Sequence, residues 1–167
     1  MQQKRLEKII LTDVMINNVV KKICYKIERH YLYQKEFICI ILNGSKKFAE
    51  DMKKYMKDIN KYNFICVNTE EDFNKDNYCL KDKFVLIIED ICNSGNKLKS
   101  YVEKVRLCQC SDIKTCVFIK KDKDLVNDLS LDFVGVIVRE QGFLAGYGLK
   151  SNDHCEELPC VVKIQNN

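Results

Sequence analysis

Two adjacent carboxylates, Glu89 and Asp90, end a continuous apolar run of strand length that begins at Phe84. A short polar loop with one glycine follows, and apolar residues take up helical spacing from Leu98 onward. In such a unit the N–H groups of the loop and the positive end of the helix dipole converge on one point. The pattern therefore predicts an anion site of phosphate size. The loop residues are Asn93, Ser94, Gly95, Asn96 and Lys97.

An ordinary turn between strand and helix is the alternative interpretation, with Asn93 or Ser94 as the helix N-cap and Gly95 at the corner. The acidic pair favours a ligand site instead, because two adjacent carboxylates at the end of a buried strand are costly unless they bind something. The carboxyl end of a strand is also where open α/β sheets bind their ligands.

The segment Glu89–Leu98 resembles the phosphoribosyl-diphosphate signature of type I phosphoribosyltransferases, specifically the hypoxanthine-guanine branch. The resemblance implies that Glu89 and Asp90 hold the ribose hydroxyls. It also implies that the loop 93–97 wraps a 5′-phosphate.

A second segment, Leu42–Met52, resembles the first conserved block of that family. By this resemblance the turn at Asn43 and Gly44 accepts pyrophosphate. A plain strand, glycine turn and helix is the alternative, because that pattern is common.

Residues for a purine are implied by the same resemblance. Lys121 aligns with the lysine that hydrogen-bonds the 6-oxo group of the base. Phe133 aligns with an aromatic residue that stacks on the base, and the backbone of Val134 would read the base edge. The alternatives are a solvated lysine pair at a strand end, formed by Lys120 and Lys121, and a core aromatic at Phe133.

The chain departs from the family pattern at three functional positions. Asn93 stands at the position of the proposed general base, usually Asp, and an amide cannot take up the proton. Lys150 stands where an Asp helps to hold magnesium, and Glu156 where an Arg touches pyrophosphate. An ammonium repels a metal ion and a carboxylate repels a diphosphate. In addition, the segment 68–83 is short and lacks the Ser-Tyr pair of the family's closing loop.

The elements expected to position these residues alternate between helix and strand. A helix is predicted from Asp13 to about Tyr31, because its apolar residues fall on one face. A second helix after Gly44 has apolar positions at Phe48, Met52, Tyr55 and Ile59. Apolar runs predict strands at 36–42, 63–67, 84–89, 112–122 and 131–138.

The C-terminal stretches Gly142–Leu149 and Leu158–Val162 are close to the last two blocks of the family, so the resemblance covers nearly the whole chain. It implies an α/β, type I phosphoribosyltransferase fold, with a parallel-centred sheet flanked by helices and a small hood from the chain ends. Residues 1–167 are expected to form a single phosphoribosyltransferase-like domain.

Composition narrows the class of protein. The 167 residues are 46% hydrophobic, which is enough for a sizeable core. The net charge of +4 comes from a mixture of 28 basic and 24 acidic residues, so no nucleic-acid partner is expected. The ten cysteines lack zinc-site spacing and suggest free thiols in a reducing, cytoplasmic compartment. No apolar run approaches the roughly 20 residues of a membrane span.

The departures from the family pattern are unevenly distributed. The residues expected to bind purine, ribose and 5′-phosphate remain, whereas those expected to serve magnesium, pyrophosphate and lid closure are altered. The leading hypothesis is a catalytically weak or inactive hypoxanthine-guanine phosphoribosyltransferase-like protein. It would bind IMP or GMP without a cofactor, as a binding, regulatory or assembly subunit. The alternative is an active, magnesium-dependent salvage enzyme that makes IMP or GMP from hypoxanthine or guanine. A purely structural subunit is the third hypothesis, and a homo-oligomer or protein partner is left open.

Overall fold

The computed structural model describes most of the chain. The described residues are 6–31, 36–69, 71, 73, 79–126, 128–149 and 155–164. The strands are β1 (Leu6–Leu11), β2 (Phe37–Leu42), β3 (Tyr62–Val67), β4 (Phe84–Cys92), β5 (Asp112–Lys121), β6 (Phe133–Val138), β7 (Phe143–Ala145) and β8 (Val161–Ile164). The helices are α1 (Asp13–His30), α2 (Lys46–Tyr55) and α3 (Asn96–Leu107), with short 3-10 turns at Ile59–Lys61 and Cys155–Glu157.

Five parallel strands form the main sheet in the order β3-β2-β4-β5-β6. Helices α1 and α2 pack on one face, and α3 packs on the other. The central strands are apolar without interruption because both of their faces are covered. In β2, for example, Cys39 and Ile41 face α1 and α2, whereas Ile38 and Ile40 face α3.

A small antiparallel sheet of β1, β8 and β7 forms the hood. It joins the N-terminal strand to two strands from the C-terminal part of the chain. The predicted parallel-centred sheet with flanking helices and a hood is therefore confirmed. Among the described residues, no helix has the length and apolar character needed to cross a bilayer.

Two helix ends illustrate how local sequence sets the elements. The side-chain oxygen of Thr12 accepts a hydrogen bond from the backbone N–H of Met15 at 3.3 Å, so Thr12 caps α1. Helix α2 ends at Tyr55, one turn before the prediction, because Met56 already has extended backbone geometry. Ile59, which was expected on this helix, lies in a 3-10 turn and is 37% exposed.

Candidate functional site

A cleft of about 740 Å³ lies at the carboxyl ends of β2, β4 and β5, where the hood strand β7 also contributes. It brings together the predicted turn at 43–44, the acidic pair, the loop 93–97 and Lys121. Its lining residues are Asn43, Gly44, Glu89, Asp90, Ile91, Cys92, Asn93, Ser94, Gly95, Asn96, Lys97, Leu98, Lys121, Lys123, Gln141, Gly142, Phe143, Leu144 and Leu149.

The loop 93–97 has the backbone geometry of an anion site. Gly95 is the N-cap of α3 with φ +89°, and no side chain caps the helix. The first N–H groups of α3, starting at Asn96, are therefore left for a ligand or water at the positive end of the helix dipole. The alternative prediction that Asn93 or Ser94 is the N-cap is wrong, because Gly95 occupies that position.

Contacts from a neighbouring loop hold this site in place. The carbonyl of Ser94 accepts a hydrogen bond from the N–H of Val126 at 2.8 Å. A Cβ atom on Gly95 would lie 2.2 Å from Cδ2 of Leu129, so the Leu129 side chain would have to shift. The φ angle of +89° favours glycine at this position for a separate reason.

Lys120 is a buried cation under the same loop, and sequence reasoning missed this role. Its Nζ donates to the carbonyls of Asn93 at 3.4 Å, of Lys123 at 2.5 Å and of Lys121. The sequence showed only a lysine pair at a strand end, which is usually solvated. A buried ammonium instead pins the start of the loop to the strand beside it.

The acidic pair is buried and already has a cation. Glu89 is 3% exposed and Asp90 8% exposed. Nζ of Lys97 lies 2.7 Å from Oε1 of Glu89 and 3.2 Å from the carbonyl oxygen of Asn43. Lys97, which the sequence placed in the predicted phosphate loop, therefore joins the acidic pair to the 43–44 turn.

The 43–44 turn closes directly on Asp90. Gly44 has φ +102°, and a Cβ there would lie 2.8 Å from Oδ2 of Asp90. The backbone N–H of Asp90 donates to Oγ of Ser45 at 2.9 Å, and its Oδ1 accepts from the N–H of Ile91 at 2.8 Å. These contacts fix the carboxylate of Asp90 at the floor of the cleft.

Burial changes the protonation of the pair. Desolvation raises the pKa of Glu89 from its usual 4.5 to about 7, although the neighbouring Lys97 ammonium acts in the opposite direction. Burial also raises the pKa of Asp90, against the hydrogen bond from the Ile91 N–H. Near neutral pH, the Glu89 carboxyl therefore exchanges between an acceptor and a donor of hydrogen bonds.

Replacing Glu89 with glutamine is expected to stabilise the empty protein at alkaline pH. Because the pKa of Glu89 is raised on folding, the folded protein binds more protons than the unfolded chain between about pH 4.5 and 7. The contribution of Glu89 to the free energy of unfolding therefore falls as the pH rises from about 4.5 to about 7. At pH 8, Glu89→Gln should therefore raise Tm by roughly 5 °C, and the gain should fade below about pH 4.5.

Thermal denaturation followed by circular dichroism at pH 4.5 and pH 8 measures this difference. Glu103→Gln is the matched control, since Glu103 is an exposed glutamate on α3 that pairs with Lys99 at 3.7 Å. The change in Tm caused by Glu103→Gln should be nearly the same at the two pH values. A lower Tm for Glu89→Gln at pH 8 would mean that the ion pair with Lys97 outweighs the burial of the carboxylate.

The far wall of the cleft offers an aromatic ring and a second lysine. Phe143 lines the cleft from β7 and is 60% exposed. Lys121 is 5% exposed, and its Nζ donates to the carbonyl of Glu140, whose side chain pairs with Lys8 of the hood at 2.9 Å. Burial lowers the pKa of Lys121. A flat heterocycle with a carbonyl group would find a stacking surface and a donor here.

The structure corrects the predictions for Phe133 and Val134. Phe133 pairs with Cys116 at the amino end of β6 and is buried in the core, where its ring centroid lies 5.7 Å from that of the exposed His30. Five residues of strand, about 16 Å, separate it from the carboxyl end where the cleft lies. Val134 is next to it and does not line the cleft. Among the described residues, the aromatic side chain that lines the cleft is Phe143, which its position directly after Gly142 could have indicated.

Two further predicted positions do not add to the described cleft. Glu156 is exposed in the turn Cys155–Glu157, where its carbonyl accepts from the N–H of Gly148 at 2.9 Å. It does not line the cleft. Lys150 lies outside the described residues, as does much of the segment 68–83.

Comparisons with known proteins match nearly the whole chain. Residues 15–152 match the family described as phosphoribosyl transferase domain. The chain is 28% identical over 188 residues to the hypoxanthine-guanine-xanthine phosphoribosyltransferase of Plasmodium falciparum, covering 96% of this chain and 79% of that protein. It is 26% identical over 170 residues to the hypoxanthine-guanine phosphoribosyltransferase of Aquifex aeolicus, covering 95% of each.

A solved structure shows the same fold. The hypoxanthine phosphoribosyltransferase of Trypanosoma cruzi in complex with the product IMP superposes with a TM-score of 0.81 at 24% identity. The match covers 99% of this chain and 94% of that one. The α/β architecture with a hood is therefore that of known phosphoribosyltransferases.

Proposed function

The chain belongs to the phosphoribosyl transferase domain family, and we propose that it binds a purine nucleoside 5′-monophosphate while catalysing phosphoribosyl transfer weakly or not at all. The observation that carries the proposal is the cleft itself. A helix N-terminus without a side-chain cap, a buried acidic pair and an exposed aromatic ring line one cavity of about 740 Å³. These three features suit phosphate, ribose and base, and the names of its relatives support a purine.

The 5′-phosphate is assigned to the loop 93–97. The unpaired N–H groups at the start of α3 and the hydroxyl of Ser94 are donors of the kind that bind a phosphate dianion. The amide of Asn96 donates to Oγ of Ser94 at 3.2 Å, which orients that hydroxyl. Lys120 adds a buried positive charge directly below the loop.

The ribose is assigned to Glu89 and Asp90, whose carboxylates are acceptors for the two hydroxyls of a cis-diol. The base is assigned to the wall formed by Phe143 and Lys121. Phe143 offers its ring for stacking, and Lys121 is a donor for an exocyclic oxygen such as that of hypoxanthine or guanine. The backbone of Leu144, the next residue of β7, takes the place proposed for Val134.

Magnesium, which the family resemblance implies, would have few protein ligands in the described cleft. Mg²⁺ usually binds through one or two carboxylates together with waters and substrate phosphates, and the carboxylates lining the cleft are Glu89 and Asp90 alone among the described residues. Glu89 is already paired with the ammonium of Lys97 at 2.7 Å. In the part of the chain that the structure describes, no three His, Cys, Asp or Glu side chains group as a metal site. We therefore propose binding that needs no divalent ion.

Weak catalysis is proposed because of Asn93. It occupies the family's position of the general base, is exposed in the loop, and has an amide that cannot accept a proton. Loss of a general base alone reduces rates by about 10²–10⁴-fold. A protein with a nucleotide site and a slow chemical step would act as a binding, regulatory or assembly subunit. Its ten free thiols support a proposal of a reducing, cytoplasmic compartment.

An active salvage enzyme is the second candidate, making IMP or GMP from hypoxanthine or guanine and phosphoribosyl diphosphate. Two observations favour it: the relatives named above are phosphoribosyltransferases, and they match over 95% or more of this chain. A purely structural subunit would instead show no response to nucleotides.

A thermal-shift titration with IMP, GMP, inosine and guanosine tests the proposal in buffer containing EDTA. Saturating IMP or GMP is expected to raise Tm, because a ligand that binds only the folded state stabilises it by about 2.7 kcal/mol at 100 times its Kd. No shift with any of the four compounds would refute the nucleotide site and favour the structural subunit.

Removing the exposed aromatic ring should weaken nucleotide binding. Phe143→Ala is expected to lower GMP affinity by about tenfold or more, because stacking on an aromatic side chain contributes about 1–3 kcal/mol per base. Its Tm without ligand should change little, since the ring is exposed. Calorimetric titration with GMP measures the affinity.

Phe133→Leu is the matched control for that experiment. It alters a buried ring that contacts His30 and Tyr31, so it should lower Tm without a specific loss of GMP affinity. The reverse pattern, with Phe133 controlling affinity and Phe143 having no effect, would contradict the placement of the base.

A further inference from the structure

Lys97 and Glu89 satisfy each other across the cleft. The ammonium lies 2.7 Å from Oε1 of Glu89 and 3.2 Å from the carbonyl of Asn43. The side chain of Glu89 is 4% exposed, whereas that of Lys97 is 48% exposed. One member of the pair is therefore fixed in the floor, and the other is a flexible stem rooted at the start of α3.

Both groups have a second use when a nucleotide binds. Under the proposed function, Glu89 must accept hydrogen bonds from the ribose hydroxyls. Lys97 is the second residue of α3, next to the N–H groups assigned to the phosphate. A ligand that fills both subsites would therefore compete with this ion pair for Glu89 and Lys97.

The cost of breaking the pair depends on what the ligand offers the ammonium. A nucleoside offers hydroxyls to Glu89 but gives Lys97 no anion, so the buried carboxylate would lose its cation for a weaker neutral partner. A nucleotide brings a phosphate to the loop beside Lys97. The ammonium then exchanges one charged hydrogen bond for another.

We propose that Lys97 is a specificity-determining residue that couples the phosphate subsite to the ribose subsite, so that the cleft accepts 5′-phosphorylated ribosides and rejects nucleosides. The ion pair with Glu89 closes the ribose subsite until a phosphate draws the ammonium away. This inference rests on the proposed function, because it assigns the two subsites as above.

Three other lysines lie at or below the cleft, and none has an ion pair with Glu89 in the part of the chain that the structure describes. Lys123 lines the cleft and is exposed, but it does not contact the acidic pair among the described ion pairs. Lys120 is held by three backbone carbonyls below the loop. Lys121 donates to the carbonyl of Glu140 on the opposite wall. Among the ion pairs of the described residues, the one between Lys97 and Glu89 is alone in involving the acidic pair.

Calorimetric titrations of wild type and Lys97→Met with GMP and with guanosine test the coupling. In wild type, GMP is expected to bind at least about 100-fold more tightly than guanosine, as expected for charged hydrogen bonds to the phosphate. In Lys97→Met, GMP affinity should fall about tenfold and guanosine affinity should rise about threefold or more, because Glu89 is freed. The preference for the phosphorylated ligand should thus shrink by about 30-fold.

Two further variants separate the coupling from a general effect on α3. Lys97→Arg keeps the cation and should retain most of the preference. Lys99→Met removes a lysine two residues further along α3 that pairs with Glu103, and it should leave the preference unchanged. Thermal denaturation of each variant without ligand verifies that it is folded.

The outcomes distinguish this inference from the proposed function. If wild type binds GMP but Lys97→Met keeps the same ratio of GMP to guanosine affinity, the coupling is overturned and the nucleotide site stands. Equal weakening of both ligands also overturns the coupling, since it shows a simple loss of charge or structure. If wild type does not bind GMP, both are overturned together.

Discussion

Asn93→Asp is expected to raise the rate of phosphoribosyl transfer to hypoxanthine by about 100-fold. The change restores a carboxylate at the position that corresponds to the family's proposed general base. Asn93 is exposed in the loop that lines the cleft, and its backbone is held by Lys120 at 3.4 Å, so the new side chain should not disturb the loop. A spectrophotometric assay of IMP formation from hypoxanthine and phosphoribosyl diphosphate, with magnesium present, measures the rate.

Asn96→Asp is the matched control for this gain of activity. It adds the same charge to the same exposed loop, three residues away from the proposed base position. Both variants should bind the 5′-phosphate less tightly through repulsion, but only Asn93→Asp should turn over faster. A wild-type protein that already turns over as fast as Asn93→Asp would establish the active salvage enzyme instead.

Gly95→Ala is expected to lower the free energy of unfolding by about 3 kcal/mol and to abolish measurable GMP binding. The φ angle of +89° is unfavourable for any L-residue with a Cβ, and that atom would lie 2.2 Å from Cδ2 of Leu129. The loop would have to move away from Val126 and Leu129 and lose the hydrogen bond from the Val126 N–H. Urea denaturation and calorimetry with GMP measure the two effects.

Gly142→Ala is the control that measures backbone strain at a positive φ angle without the clash against Leu129. Gly142 has φ +101°, but its Cβ would meet only the flexible end of Lys163, at 3.1 Å. It should cost about 1 kcal/mol, from the φ angle alone. An equal loss of free energy of unfolding in Gly95→Ala and Gly142→Ala would show that packing against Leu129 does not hold the loop. Partial recovery in the double variant with Leu129→Ala would confirm that it does.

The parts of the site that follow directly from local sequence were predictable. The run Phe84–Asp90, the glycine loop and the start of α3 are contiguous, so the order of residues alone places a loop at a strand end. The 43–44 turn could be predicted for the same reason. Parallel strands then bring both loops to one edge of the sheet without any further information.

The parts that depend on side-chain partners from distant segments were not predictable. Phe133 and Phe143 are both phenylalanines near the ends of short strands, and only the register of β6 against β5 shows that Phe133 lies at the wrong end. The sequence likewise does not reveal that Lys120 turns under the loop. Nor does it show that Lys97 pairs with Glu89, because the choice between a phosphate and a carboxylate depends on three-dimensional distance.

We propose that the cleft binds a purine nucleoside monophosphate and binds diphosphate and metal poorly. Calorimetric titration of the wild-type protein with GMP in EDTA, and with phosphoribosyl diphosphate in excess magnesium, tests this most directly. We expect a micromolar Kd for GMP, which corresponds to about −8 kcal/mol, and at least about tenfold weaker binding of the diphosphate. Tight binding of phosphoribosyl diphosphate that disappears when magnesium is removed would contradict it.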